Sequence, residues 1–222
     1  MIIGNGLIAK SLQHIDSDEV LFFASGVSNS LETEDSEFQR EFTLLQNALT
    51  SYPHLRFFYF STLSILDQSK KESRYVHHKK AMEEYITNYS NNYLIIRIGN
   101  LIGKGGNPNT LFNFFKNKIL QNDSFEIHTE ARRLILGIED LSSFIAEIKN
   151  YKQNKVLNFS YPYYYKPKEI VSALETEIGK KSSHKEINDG DFYTVEFCEE
   201  ATDYFKEKEP NDYLKELVKK YL

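Results

Sequence analysis

The chain has 222 residues, of which 41% are hydrophobic and 14% aromatic, and a formal net charge of −5. That length supports one substantial core, the mixed charge gives no basic field for nucleic acid, and no apolar run suits a membrane span or a leader, so a cytoplasmic protein is expected. Cys198 is the only cysteine, which excludes an internal disulfide and a Cys-rich zinc centre; it reads as a buried thiol, and no metal site is expected.

Met1-Ile2-Ile3 reads as a very short strand. Gly4-Asn5-Gly6-Leu7-Ile8-Ala9 follows in a G-x-G-x-x-A pattern that opens a helix-like stretch, Leu7 to His14. Such glycines serve either of two ends: close approach of backbone to a pyrophosphate, or a tight strand-to-helix turn. Val20 to Ala24 is a buried strand by its length and content, and it ends in the small residues Ser25, Gly26, Val27 and Ser28. Phe38, Phe42, Leu45 and Leu49 fall at helical spacing within a helix over 35–52, which Pro53 terminates. Strand 56–60, a helix carrying Tyr75, and strand 93–98 come next. The alternation predicts a parallel sheet covered on both faces. Beyond Gly103, helices are expected over 110–120, from Glu139-Asp140 onward, over 168–178 and over 211–222, with a last strand over 155–159. Tyr161, Tyr163, Tyr164 and Tyr165 form a cluster that either lines a ligand surface or packs a loop on the core.

The chemistry concentrates between Phe57 and Gly103. Tyr75 and Lys79 stand four apart, on one face of their helix. Free tyrosine, with a pKa near 10, is a poor base at neutral pH. An ammonium at roughly 4 Å and an effective dielectric of about 20 favours the phenolate by up to about 4 kcal/mol, which moves the phenol toward acid–base work. Ser61, Thr62 and Ser64, at the end of the preceding strand, offer hydroxyls to hold a substrate oxygen beside that phenol. His78 reads as a packed or solvent-facing histidine.

In this order the motifs resemble the short-chain dehydrogenase/reductase superfamily, in its extended, sugar-nucleotide-modifying branch (NAD-dependent epimerase/dehydratase). The resemblance runs from Gly4 through Lys180. It implies an α/β, Rossmann-like, doubly wound parallel sheet forming one extended-type unit. Residues 1–103 would be the nucleotide-binding core, and 104–222 mainly a small substrate-binding lobe with the last strand and helices. It also implies catalytic Thr62 or Ser61, Tyr75 and Lys79; the thirteen-residue step from Thr62 to Tyr75 favours Thr62. NAD or NADP would lie against Gly4, Asn5, Gly6, Leu7, Ile8, Ala24, Ser25 and Gly26, with Tyr75 and Lys79. Arg97-Ile98-Gly99-Asn100-Leu101-Ile102-Gly103 is similar to the family's R-x-x-N-x-x-G, which places Asn100 near substrate with Ser64. Arg133, ahead of Asp140, matches the family's phosphate-gripping arginine. In such enzymes the tyrosine exchanges the alcohol proton, the lysine lowers its pKa, and the hydroxyl steadies the carbonyl. A nucleotide-sugar substrate is implied, and a homodimer through the Tyr75 helix and its predecessor is common in the family.

The departures are as informative. About two strands are missing after the first helix, and with them the acidic residue that would select the adenine ribose. Leu63-Ser64 stand where the family's dehydratases carry Asp-Glu. The expectation is therefore a reductase of a 4-keto (deoxy)sugar nucleotide, with a 4-epimerase as the alternative and an idle binding member as the alternative of another class.

Overall fold

The computed structural model describes residues 1–27 and 29–222; Ser28, expected among the small residues after the second strand, lies outside the described residues. Five parallel strands form the central sheet: β1 (Ile2–Ile3), β2 (Val20–Phe23), β3 (Arg56–Thr62), β4 (Tyr93–Ile98) and β8 (Lys155–Phe159), in the spatial order β1-β2-β3-β4-β8. Every residue of β2 and β3 is buried. This is why those segments read as continuous apolar and aromatic runs, the pattern of a sheet covered on both sides.

Alternate residues divide the core in two. Leu21, Phe57, Tyr59 and Ile95 pack under α2 (Asp35–Ser51) and α3 (Arg74–Tyr89) through Leu45, Ala48, Met82 and Ile86. On the other face, Phe22, Phe58, Leu94 and Ile96 meet Leu12, just after α1 (Leu7–Ser11), and Leu141, Phe144 and Ile145 of α5 (Ile138–Ile148). Full burial of one such side chain is worth about 1.5–3 kcal/mol.

The strands are added in one direction, yet α1 lies on the face opposite α2 and α3. The β1–α1–β2 crossover therefore has the opposite hand to the two that follow, against the strong preference for one hand. The expected deletion accounts for this. In a doubly wound sheet α1 would lead to strands beyond β1; without them, it keeps its face and the chain returns directly to β2. The sheet ends at β1.

The remaining elements were only partly anticipated. α4 (Leu111–Gln121), α6 (Pro167–Ile178) and α8 (Pro210–Tyr221) match the predicted helices. Glu169 Oε2 accepts from Lys166 N at 2.6 Å to fix the start of α6, and Gly179 in the left-handed conformation ends it. Two small parallel pairs, β5 (Asn100–Ile102) with β7 (Ile135–Gly137) and β6 (Phe125–His128) with β9 (His184–Ile187), and the short α7 (Glu199–Phe205) were not read from the sequence. The predicted first helix shortens to α1 and a 3-10 turn, Gln13–Ile15, and β3 runs two residues further than predicted, to Thr62. The tyrosine cluster divides. Tyr161 and Tyr165 are buried, with hydroxyls donating to Lys208 O and Pro210 O at 2.6 Å each, so they pack the core. No helix among the described residues is long and apolar enough to cross a membrane.

Candidate active site

A cleft of about 590 Å³ opens along the C-terminal ends of β1 to β4, where open α/β sheets bind ligands. Asn5, Gly6, Leu7 and Ile8 line one wall, Ala24, Ser25 and Gly26 continue it from β2, and Ser61, Thr62 and Ser64 come from the end of β3. Tyr75 and Lys79 enter from α3, and Asn100 from β5. All but two of the expected site residues therefore meet in one place.

Gly4 and Arg133 are the two that do not line this cleft. Gly4 has φ 130°, and a Cβ there would stand 2.4 Å from Ala24 O; its glycine serves the packing of β1 on β2. Gly6 differs, because a Cβ there would meet nothing within 4 Å. The two readings of the glycine pattern thus apply to different glycines: the first is structural, and the second leaves backbone open to the cleft. Arg133 donates from one guanidinium nitrogen to Arg132 O and Asp191 O, and opens onto a second pocket of about 410 Å³ with Phe115, Lys118 and Phe125. Asn100 Nδ2 donates to Leu134 O at 2.9 Å, which ties β5 to the segment before β7. Two other motif residues hold each other: Arg97 forks onto Glu83 at 2.6–3.1 Å, locking the end of β4 to α3.

At the floor of the cleft, Thr62 Oγ1 accepts from Ser64 N at 3.1 Å, and the Thr62 side chain lies close enough to favour ionisation of the Tyr75 phenol. Ser61 Oγ, in the same wall, is buried with no hydrogen-bond partner among the described residues. Lys79 acts to lower the Tyr75 pKa, as expected, but the expected net shift toward the phenolate requires correction. Burial raises the phenol above its ordinary value, and Lys79, whose Nζ is 5.9 Å from the Tyr75 ring centre, offsets this only in part. Lys79 has nearer partners: Glu41 Oε1 at 2.8 Å and the Tyr59 hydroxyl at 3.0 Å.

Sequence reasoning missed Glu41. It is wholly buried on α2 and accepts from four groups: Lys79, Val27 N at 2.8 Å, the Tyr59 hydroxyl at 3.2 Å, and His78 Nε2 at 3.0 Å. Burial opposes its charge, but Lys79 and these donors hold its pKa down to about 2. Lys79 is correspondingly raised: burial opposes its charge, and the Tyr59 and Glu41 groups more than compensate. His78 is packed against Phe38 with ring centres 4.9 Å apart, as expected. A signal was present, since Glu41 falls between Phe38 and Leu45 on the apolar stripe of its helix. Tyr193 was also missed. It lines the cleft from the loop after β9 and lies close to Ser64, and burial raises its phenol to about 12.

No protein-family model and no curated protein matches the chain. Solved structures do. A UDP-N-acetylglucosamine 4-epimerase from Methanobrevibacter ruminantium M1, in complex with UDP-N-acetylmuramic acid, superimposes with a TM-score of 0.73 at 15% identity, covering 99% of this chain and 81% of that one. The fold is that of the sugar-nucleotide epimerases. A UDP-glucuronic acid 4-epimerase from Bacillus cereus gives 0.72 at 19% identity over 95% and 76% of the two chains. A dTDP-glucose 4,6-dehydratase from Bacillus anthracis, in complex with NAD, gives 0.67 at 16% over 97% and 77%. The Rossmann-like sheet expected from the motifs is therefore present.

Proposed function

We propose that this chain is an extended short-chain dehydrogenase/reductase that uses NAD or NADP to reduce a nucleotide-linked 4-keto (deoxy)sugar, with Tyr75 as proton donor. The observation that carries the direction is the free edge of β1, beyond which no further strand pairs among the described residues: it leaves the adenine end of a cofactor little to hold it, which suits a reductase that exchanges its cofactor at every turnover. An epimerase instead keeps one cofactor bound through turnover. The epimerase reading is the second, favoured by the fold neighbours named above.

The residues fit the nicotinamide end of the cofactor. The unpartnered Ser61 Oγ, the Thr62 hydroxyl and the Tyr75 phenol converge on the cleft floor, and Gly6 leaves backbone open. The adenine end would meet the free edge of β1, where no further strand pairs among the described residues. That supports a loosely held, exchangeable cofactor. When bound, a reduced nicotinamide supplies the hydride for the carbonyl carbon. Thr62, with Ser61 behind it, donates to the carbonyl oxygen and orients it toward Tyr75. Tyr75 gives that oxygen its proton as charge develops, and the Lys79 ammonium stabilises the phenolate left behind. Asn100, Ser64 and Tyr193 flank the sugar. Arg133 and Lys118, on a pocket also lined by Phe115 and Phe125, suit a nucleotide's phosphates and base.

Titrating the folded protein with NADH and NADPH, followed by nicotinamide fluorescence, tests this. Saturable binding of either, weakened in Tyr75→Ala, is expected. Binding of neither at about millimolar concentration, an affinity worth only about −4 kcal/mol, would favour an idle binding member.

A further inference from the structure

Glu41 has no part in the acid–base set described above, yet it is the most elaborately held charge in the molecule's core. Its carboxylate is wholly buried and saturated by four donors from three segments: α3 twice, through Lys79 and His78, β3 through Tyr59, and the loop after β2 through the Val27 amide. A buried pair of this kind is not needed for stability alone, because well-packed apolar residues serve as well or better. A second observation concerns Gly26. A Cβ at that position would stand 3.0 Å from Lys79 Nζ and 3.2 Å from Glu41 Oε1. Backbone space has thus been kept clear for the ion pair, at the point where β2 gives way to the cleft wall.

We propose that Glu41 is the positioning residue of this site: it fixes the Lys79 ammonium in a buried ion pair and shares its charge, so that Tyr75 stands beside a compensated cation and is held as a proton donor. This rests on the reductase reading and deepens it, since it names the group that keeps the proton on the donor. The groups facing Tyr75 are Lys79 on its own helix, Glu41 on α2 and Thr62 at the end of β3. Tyr59 on β3 also faces it, and His78 acts on it through Glu41. Glu41→Gln would leave the ammonium uncompensated and let the phenol ionise more easily. Glu41→Asp would keep the compensating charge.

The test needs neither substrate nor cofactor, so it can fail or succeed independently of the reductase assignment. Tyrosine labelled with carbon-13 at Cζ is followed by NMR against pH in cofactor-free protein, with the Tyr75 signal assigned by its loss in Tyr75→Phe. In Glu41→Gln the Tyr75 phenol is expected to titrate about one pH unit lower than in wild type, and in Glu41→Asp to stay with wild type. A Tyr75 titration unchanged in a folded Glu41→Gln protein would overturn the proposal, because a merely structural role lowers stability without moving that phenol. Should Glu41→Gln not fold, the wild-type protein decides. A scalar coupling across the hydrogen bond from Lys79 Nζ to Glu41 Cδ supports the pair, and its absence refutes it.

Discussion

Replacing Lys79 by methionine removes the ammonium and leaves Glu41 buried with its other donors. The size of the effect follows from the carboxylate. A fall in its pKa from the ordinary 4.5 to about 2 is worth about 3 kcal/mol, at the lower end of the roughly 3–5 kcal/mol lost when a buried pair loses one partner. Glu41 is wholly buried, so solvent screening takes little from this figure. The sign fixes the pH dependence. A depressed carboxylate stabilises the fold above its unfolded pKa, and that contribution fades as pH falls from 4.5 toward about 2. In Lys79→Met, burial is opposed only by the remaining Val27, Tyr59 and His78 donors and Glu41 rises, so the penalty is full at neutral pH and is relieved as the carboxyl takes a proton. Urea unfolding of both proteins at about pH 7.5 and about pH 4.5 should give a loss of about 3–5 kcal/mol at the higher pH and a clearly smaller one at the lower. An equal loss at both, or a loss below about 1 kcal/mol at neutral pH, would refute the reasoning.

Tyr75→Phe should lower turnover of a keto-sugar nucleotide by about 10²- to 10⁴-fold while NADH or NADPH binding persists, measured by steady-state kinetics and fluorescence. Gly4→Ala, with φ 130° and a Cβ 2.4 Å from Ala24 O, should destabilise by more than about 2 kcal/mol. Gly6→Ala, with nothing in its way, should fold normally and show its effect in cofactor affinity; thermal melts and binding curves separate the two. Arg133→Ala should raise KM for the nucleotide sugar by about tenfold or more with little change in kcat, as expected of a group that holds the phosphates and stays away from the reacting carbon.

The strand-helix alternation was legible because β2 and β3 are buried on both faces, which leaves no polar residues to blur the pattern. The convergence of Thr62, Tyr75 and Lys79 was legible because helical spacing and strand ends are local. β5, β6, β7 and β9 escaped because each is three or four residues long and gains its identity only by pairing with a distant partner. Glu41 escaped for a related reason. Four turns of α2 look amphipathic with or without it, and only the fold brings Lys79, Tyr59 and His78 around its carboxylate. The local estimate for Tyr75 erred on the same account: it included the ammonium four residues away and not the carboxylate on another helix that compensates it, nor the burial that outweighs both. The reversed hand at β1–α1–β2 follows from an absence, the strands that would lie beyond β1, which local patterns do not register.

The most direct measurement is label transfer. Wild-type protein and Tyr75→Phe are incubated with NADH or NADPH carrying deuterium on the transferable position of the nicotinamide, together with UDP- or dTDP-linked 4-keto sugars, and the products are read by mass spectrometry and NMR. Deuterium at C4 of the product sugar with wild type, and its near absence with Tyr75→Phe, is the predicted result. No label in any sugar from a protein that binds the cofactor, or undiminished label with Tyr75→Phe, would contradict it.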